Sequence, residues 1–146
     1  MVLADYLGSW QDQSGVVVRW DTEPAEGFPL GLPPMAELQL LRIIQESLAN
    51  VRKHAQAGEV EIHLSLDDEV VDVTVSDNGI GFTPAAPGRT GVPRFGLATM
   101  HERAESVGGN VEIRSRPGAG TTVHARLPRP SADLTQTGAL HAHLDR

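Results

Sequence analysis

Glu46, Asn50 and Lys53 fall four and three positions apart. At about 100° per residue in a helix, a carboxylate, a carboxamide and an ammonium then share one stripe. Oxygen donors of this kind suit Mg²⁺, which takes one or two protein ligands and fills its other positions from water and substrate phosphates, while a lysine beside them can meet a phosphate. The competing reading is an ordinary solvated helix face. A second candidate is the run Asp77-Asn78-Gly79-Ile80-Gly81-Phe82. Asp77 is in phase with Val71, Val73 and Val75, so the pleat of a strand turns its carboxylate toward the side those valines bury. A carboxylate aimed inward needs a donor. The amino group of an adenine would serve, with Gly79 and Gly81 letting backbone pass close to a flat ligand. Alternatively the run is a turn in which Asp77 caps its neighbours.

Two further segments join these. Arg94-Phe95-Gly96-Leu97 leads straight into a helix start, where free backbone N–H groups make a seat for phosphate or simply begin a helix. Gly118-Ala119-Gly120-Thr121 reads as a hairpin turn. Thr121 is in phase with Val123, Ala125 and Leu127, so its hydroxyl points inward as the Asp77 carboxylate does.

The elements that must position these groups follow from periodicity. Residues 1–34 predict a weak helix, a short edge strand from Val16 to Trp20 and a Pro/Gly-rich connector, a lead-in to the same domain as the core at 35–128. From Met35 to about His54, Leu38, Leu41, Ile44, Leu48, Val51 and Ala55 recur every three or four positions, which predicts a long amphipathic helix with Glu46, Asn50 and Lys53 nearly opposite its apolar face. Val60, Ile62, Leu64 and Leu66, then Val71, Val73 and Val75, alternate with polar residues as two strands of a hairpin. Residues 78–95, with Arg89 and Arg94, read as a long loop. A helix from Leu97 to Val107 follows, stopped by Gly108-Gly109. Strands from Val111 to Arg116 and from Thr121 to Leu127 close the core, and 129–146 is expected to be a disordered tail. This order predicts an α/β (α+β) two-layer sandwich, a mixed sheet covered on one face by helices.

Composition narrows the function. At 146 residues there is room for one domain with a real core. A net charge of −7 argues against nucleic-acid binding, and the lack of cysteine excludes thiolate zinc sites and cysteine nucleophiles. The single lysine, Lys53, follows Arg52 rather than a glycine loop, which excludes a Walker-type P-loop. No stretch approaches the roughly 18 apolar residues of a membrane helix, and the opening residues lack a basic leader, so the cytoplasm is the expected compartment.

Taken together, the helix stripe, Asp-x-Gly-x-Gly, the glycine before a helix and Gly-x-Gly-Thr occur in the order that resembles the Bergerat ATP-binding family of gyrases, Hsp90-type chaperones, MutL-type repair proteins and histidine kinases. The resemblance spans about Met35 to Leu127. The strings RIIQESLANVRKHAQA (42–57), DNGIGF (77–82), FGLATMHERAESVGG (95–109) and GAGTTVHARLP (118–128) look like sensor histidine kinases of the nitrate-sensor and lipid-fluidity-sensor branch. That resemblance implies ATP and Mg²⁺ as ligands and gives each residue a role. Asn50 would ligate Mg²⁺, Glu46 would act at the γ-phosphate, and Lys53 and His54 would lie near the phosphates. Asp77 would receive the adenine amino group in a pocket shaped by Gly79, Gly81, Gly120 and Thr121. Gly96 and Leu97 would begin the helix under the phosphates, beneath a short lid at 83–95. It further implies a histidine-bearing dimerisation domain ahead of Met1, a response regulator as final acceptor, and a monomeric isolated domain. Many histidine kinases carry asparagine where this chain has Glu46, but glutamate is usual there both in the nitrate-sensor branch and in the hydrolytic ATPases of the superfamily, so position 46 does not separate kinase from ATPase. His101-Glu102-Arg103 lies inside a helix of the site and is not assigned as a phosphoacceptor. A free-standing anti-sigma-type serine kinase and a non-catalytic nucleotide-binding module share the expected fold.

Overall fold

In a computed structural model, residues 3–23, 30–82 and 97–130 are described. The element order is α1 (Leu3–Ser14), β1 (Val17–Glu23), α2 (Pro34–Asn50) continued by a π-helical turn (Val51–Ala55), β2 (Glu59–Leu66), β3 (Val70–Asp77), α3 (Leu97–Glu105), β4 (Asn110–Ser115) and β5 (Thr121–Pro128).

The strands form one sheet in the order β1-β2-β3-β5-β4. β1 is parallel to β2 and every other pair is antiparallel, which gives the mixed sheet expected. Strict alternation divides its faces. Val60, Ile62, Leu64, Val71, Val73, Val75, Val123, Ala125 and Leu127 are buried under the helices. The other face is polar and open: His124 and Arg126 flank Asp72 at 2.6 and 3.1 Å.

The lead-in is packed into the core, as Leu3, Leu7 and Trp10 of α1 are buried together with Val16. Gln11 also accepts a hydrogen bond from the Val18 N–H at 2.7 Å, which satisfies one backbone donor of the edge strand. Arg129 donates its N–H to the Glu69 carbonyl at 2.7 Å. The remainder of the expected tail, 131–146, lies outside the described residues.

α2 starts at Pro34, whose fixed φ suits the first helical turn. Its buried face differs from the expected stripe. Ala36, Leu40, Ile43, Ile44, Ser47 and Leu48 are buried, whereas Leu38 is 43% exposed and Leu41 is only half-buried. The cause is that α2 packs on both the sheet and α3, so its contact arc is wide and includes a serine that an apolar count passes over. Ser47 satisfies itself by donating to the Ile43 carbonyl at 2.8 Å. With the arc recentred, Asn50 lies on its flank rather than opposite it.

Candidate functional site

The pairing of β3 with β5 places Asp77 directly across from Thr121 and Val75 across from Val123. Opposed residues share a sheet face, and this is the face under α2. Val75 and Val123 are buried, while Asp77 and Thr121 are half-buried at the end of the ladder. The four line a cavity of about 120 Å³ whose opposite wall carries Asn50, Val51, His54 and Ala55. Ser47, Ile80, Gly81, Phe82 and Leu97 complete the lining. Mostly apolar walls with a few converging polar groups are the usual form of a small-molecule site.

The Asp77 carboxylate accepts a hydrogen bond from the Gly79 N–H at 2.8 Å. Burial pushes its carboxyl above the ordinary carboxylate range, with the N–H groups of Gly79 and Thr121 pulling the other way.

Three glycines set the walls by admitting backbone. A Cβ on Gly79 would lie 2.2 Å from the Ala55 carbonyl oxygen, one on Gly81 2.0 Å from that of Arg116, and one on Gly120 2.1 Å from that of Asp77. What passes close to these glycines is therefore the neighbouring chain. Residues 77–82 are wedged between the end of α2 and the β4–β5 turn, held by Ile80 N–H to the Ala55 carbonyl at 2.8 Å and Gly118 N–H to the Ile80 carbonyl at 2.6 Å. Asn78 adds an anchor, its Oδ1 accepting from the N–H groups of Gly58 and Glu59 at 3.0 Å each.

Ser115 is a residue that sequence reasoning did not single out. Its buried hydroxyl donates to the Gly120 carbonyl at 3.1 Å, accepts from the Phe82 N–H at 2.8 Å and pairs with the Thr121 hydroxyl at 2.8 Å. The only sequence signal was a polar residue at a strand end beside Gly-x-Gly. Ser115→Ala should cost about 1–3 kcal/mol by orphaning these groups, read as a lower urea midpoint. An unchanged midpoint would show that water replaces the hydroxyl.

Not every expected residue meets at this cavity. Lys53 lines a separate groove with Tyr6 and Trp10 of α1. Glu46 sits beside α3, where Arg103 donates to it at 3.2 Å. Gly96, the loop at 83–95 and its Arg89 and Arg94 lie outside the described residues. Among the described residues, no group of three or more histidine, aspartate or glutamate side chains is arranged to hold a metal.

Fold and cavity define a two-layer α/β domain with a pocket at the seam between helices and sheet. The family model for histidine kinase-, DNA gyrase B- and HSP90-like ATPases matches residues 35–131, and the chain belongs to that family. The oxygen sensor histidine kinase NreB of Staphylococcus carnosus is 41% identical over 125 residues, covering 84% of this chain and 34% of NreB. The nitrate/nitrite sensor protein NarX of Escherichia coli K12 is 36% identical over 106 residues, 66% of this chain and 17% of NarX. The chain spans between 15% and 34% of the curated relatives' lengths. The mycobacterial sensor histidine kinase MprB shares the fold, with a TM-score of 0.61 at 20% identity over 88% of this chain and 95% of that one. No helix among the described residues is long and apolar enough to cross a membrane.

Proposed function

We propose that this chain binds Mg-ATP in the cavity and presents the γ-phosphoryl group to a histidine on a separate dimerisation domain, as the catalytic domain of a two-component sensor kinase. The supporting observation is the registered pair Asp77–Thr121, facing the Asn50 flank of α2 across the cavity, in a chain of the histidine kinase-like ATPase family. Asp77 accepts the adenine amino hydrogen and Thr121 closes the same end. Gly79, Gly81 and Gly120 hold the loop that forms the rim. Glu46 acts at the γ-phosphate, His54 lies at the cavity wall, and Gly96 and Leu97 offer N–H groups to the phosphates at the start of α3. Lys53 reaches the phosphates only by leaving its groove beside Trp10.

The donor set at this wall fits Mg²⁺ rather than a metal needing a protein cage. Asn50 brings one hard amide oxygen, and Mg²⁺ takes the rest of its shell from phosphates and water. When bound, it neutralises charge on the phosphates, and the remaining work is positioning. A response regulator would take the group from the phosphorylated histidine. The isolated chain would be monomeric and cytoplasmic.

Transfer of labelled γ-phosphate from ATP to a supplied histidine-bearing dimerisation domain tests the reading directly, and ATP binding without transfer would leave a nucleotide-binding module. Asn50→Ala should keep the thermal midpoint while removing the metal dependence of binding. Calorimetry with Mg²⁺ and with EDTA should show at least about a 10-fold difference for the parent and none for the variant. A variant that still needs Mg²⁺ would take the metal role from Asn50.

A further inference from the structure

Glu46 and Gln39 stand seven residues apart on α2, and two turns of helix bring both to one flank. Arg103, in the last turn of α3, reaches across to both. Its Nε donates to Glu46 Oε1 at 3.2 Å and its Nη1 to Gln39 Oε1 at 3.1 Å. The ion pair is sheltered, the two side chains being 31% and 27% exposed. One carboxylate oxygen is thereby committed. The other, Oε2, is buried and has no hydrogen-bond partner among the described residues. A guanidinium matches this job because its planar fork fixes two acceptors at once, which an ammonium on a flexible stem cannot do.

We infer that Arg103 is a positioning residue for Glu46: from α3 it fixes the orientation of the carboxylate, holding one oxygen and leaving the other without a protein partner among the described residues. The inference rests on the reading of Glu46 as the residue at the γ-phosphate. It adds a mechanical link, since the Arg103 side chain ties α3 to the flank of α2 that carries Glu46. Any shift of α3 relative to α2 turns Glu46 with it.

The experiment uses the 146-residue chain with Mg²⁺, measuring ADP affinity by calorimetry and γ-phosphoryl transfer from saturating ATP to a supplied histidine-bearing dimerisation domain. ADP lacks the γ-phosphate, so its affinity reports on the pocket without Glu46. Arg103→Ala should slow transfer by about 10-fold or more with ADP affinity held within about 2-fold. Arg103→Lys should recover part of the rate, and Gln39→Ala, which removes only the second acceptor, should lose about 2- to 3-fold. In a Glu46→Gln background Arg103→Ala should add nothing, because the two act as a unit. Equal rate losses in both backgrounds, or a rate lost in step with ADP affinity, would show Arg103 to be only a helix clasp. Undiminished transfer by Arg103→Ala overturns the inference alone. A parent chain that holds no nucleotide and transfers nothing overturns it together with the proposed function. Should Arg103→Ala fail to fold, Arg103→Lys and Gln39→Ala carry the same comparison.

Discussion

Asp77→Asn should leave the apoprotein at least as stable as the parent while weakening ATP binding by about 10- to 100-fold. The binding loss is that of a charge-assisted hydrogen bond, about 1.5–3 kcal/mol, since the amide can turn its own donor toward the adenine amino group. The stability gain has a separate origin. Burial raises the Asp77 carboxyl above its ordinary value, so between the unfolded and folded values the native state binds more protons than the unfolded one. Its contribution to stability therefore falls as pH rises through that window, and the penalty is complete above the folded value. Asparagine keeps an acceptor for the Gly79 N–H and removes the charge. The variant's advantage in urea midpoint should grow with pH across the window and then level off. ATP affinity of the parent should fall as pH drops through the same raised value. Unchanged ATP affinity in Asp77→Asn would remove the adenine assignment.

Gly120→Ala should be among the most damaging single methyl additions in the site. Gly120 has φ +74°, and its added Cβ would lie 2.1 Å from the Asp77 carbonyl oxygen and 3.4 Å from the Asn78 Cα. Backbone cannot rotate away as a side-chain tip can. Strain at positive φ and the overpacking together cost about 2–4 kcal/mol. The displaced atoms belong to the residue proposed to read the base, so ATP affinity should fall alongside the urea midpoint. Gly118→Ala separates the two causes, because Gly118 has φ +79° but nothing within 4 Å of an added Cβ. It should lose only the conformational part, about 1 kcal/mol, with ATP affinity kept. Equal losses at both positions would show that close packing against Asp77 contributes nothing.

The strands were legible because their period is two, so phase alone put Asp77 and Thr121 on the inner face, and the register pairs them. The helix was harder. Its residues rotate by about 100° each, and the apolar count leaned toward Leu38, which is exposed, and away from Ser47, which is buried. That error placed Asn50 opposite the core when it stands at its edge. Arg103 and Ser115 were illegible for different reasons. Arg103 meets Glu46 across 57 positions of chain, a distance at which no local spacing speaks. Ser115 matters through atoms of Phe82 and Gly120 that every residue possesses.

The π-helical turn from Val51 to Ala55 carries one more implication. Its hydrogen bonds reach five residues along the chain where those of a regular helix reach four, and it ends at Gln56 with φ +51°. Removing one residue would let the helix run on regularly and swing Ala55 about its axis by roughly 100°. The carbonyl that receives the Ile80 N–H would then face elsewhere. A single-codon deletion within that turn would thus uncouple helix from rim in one step.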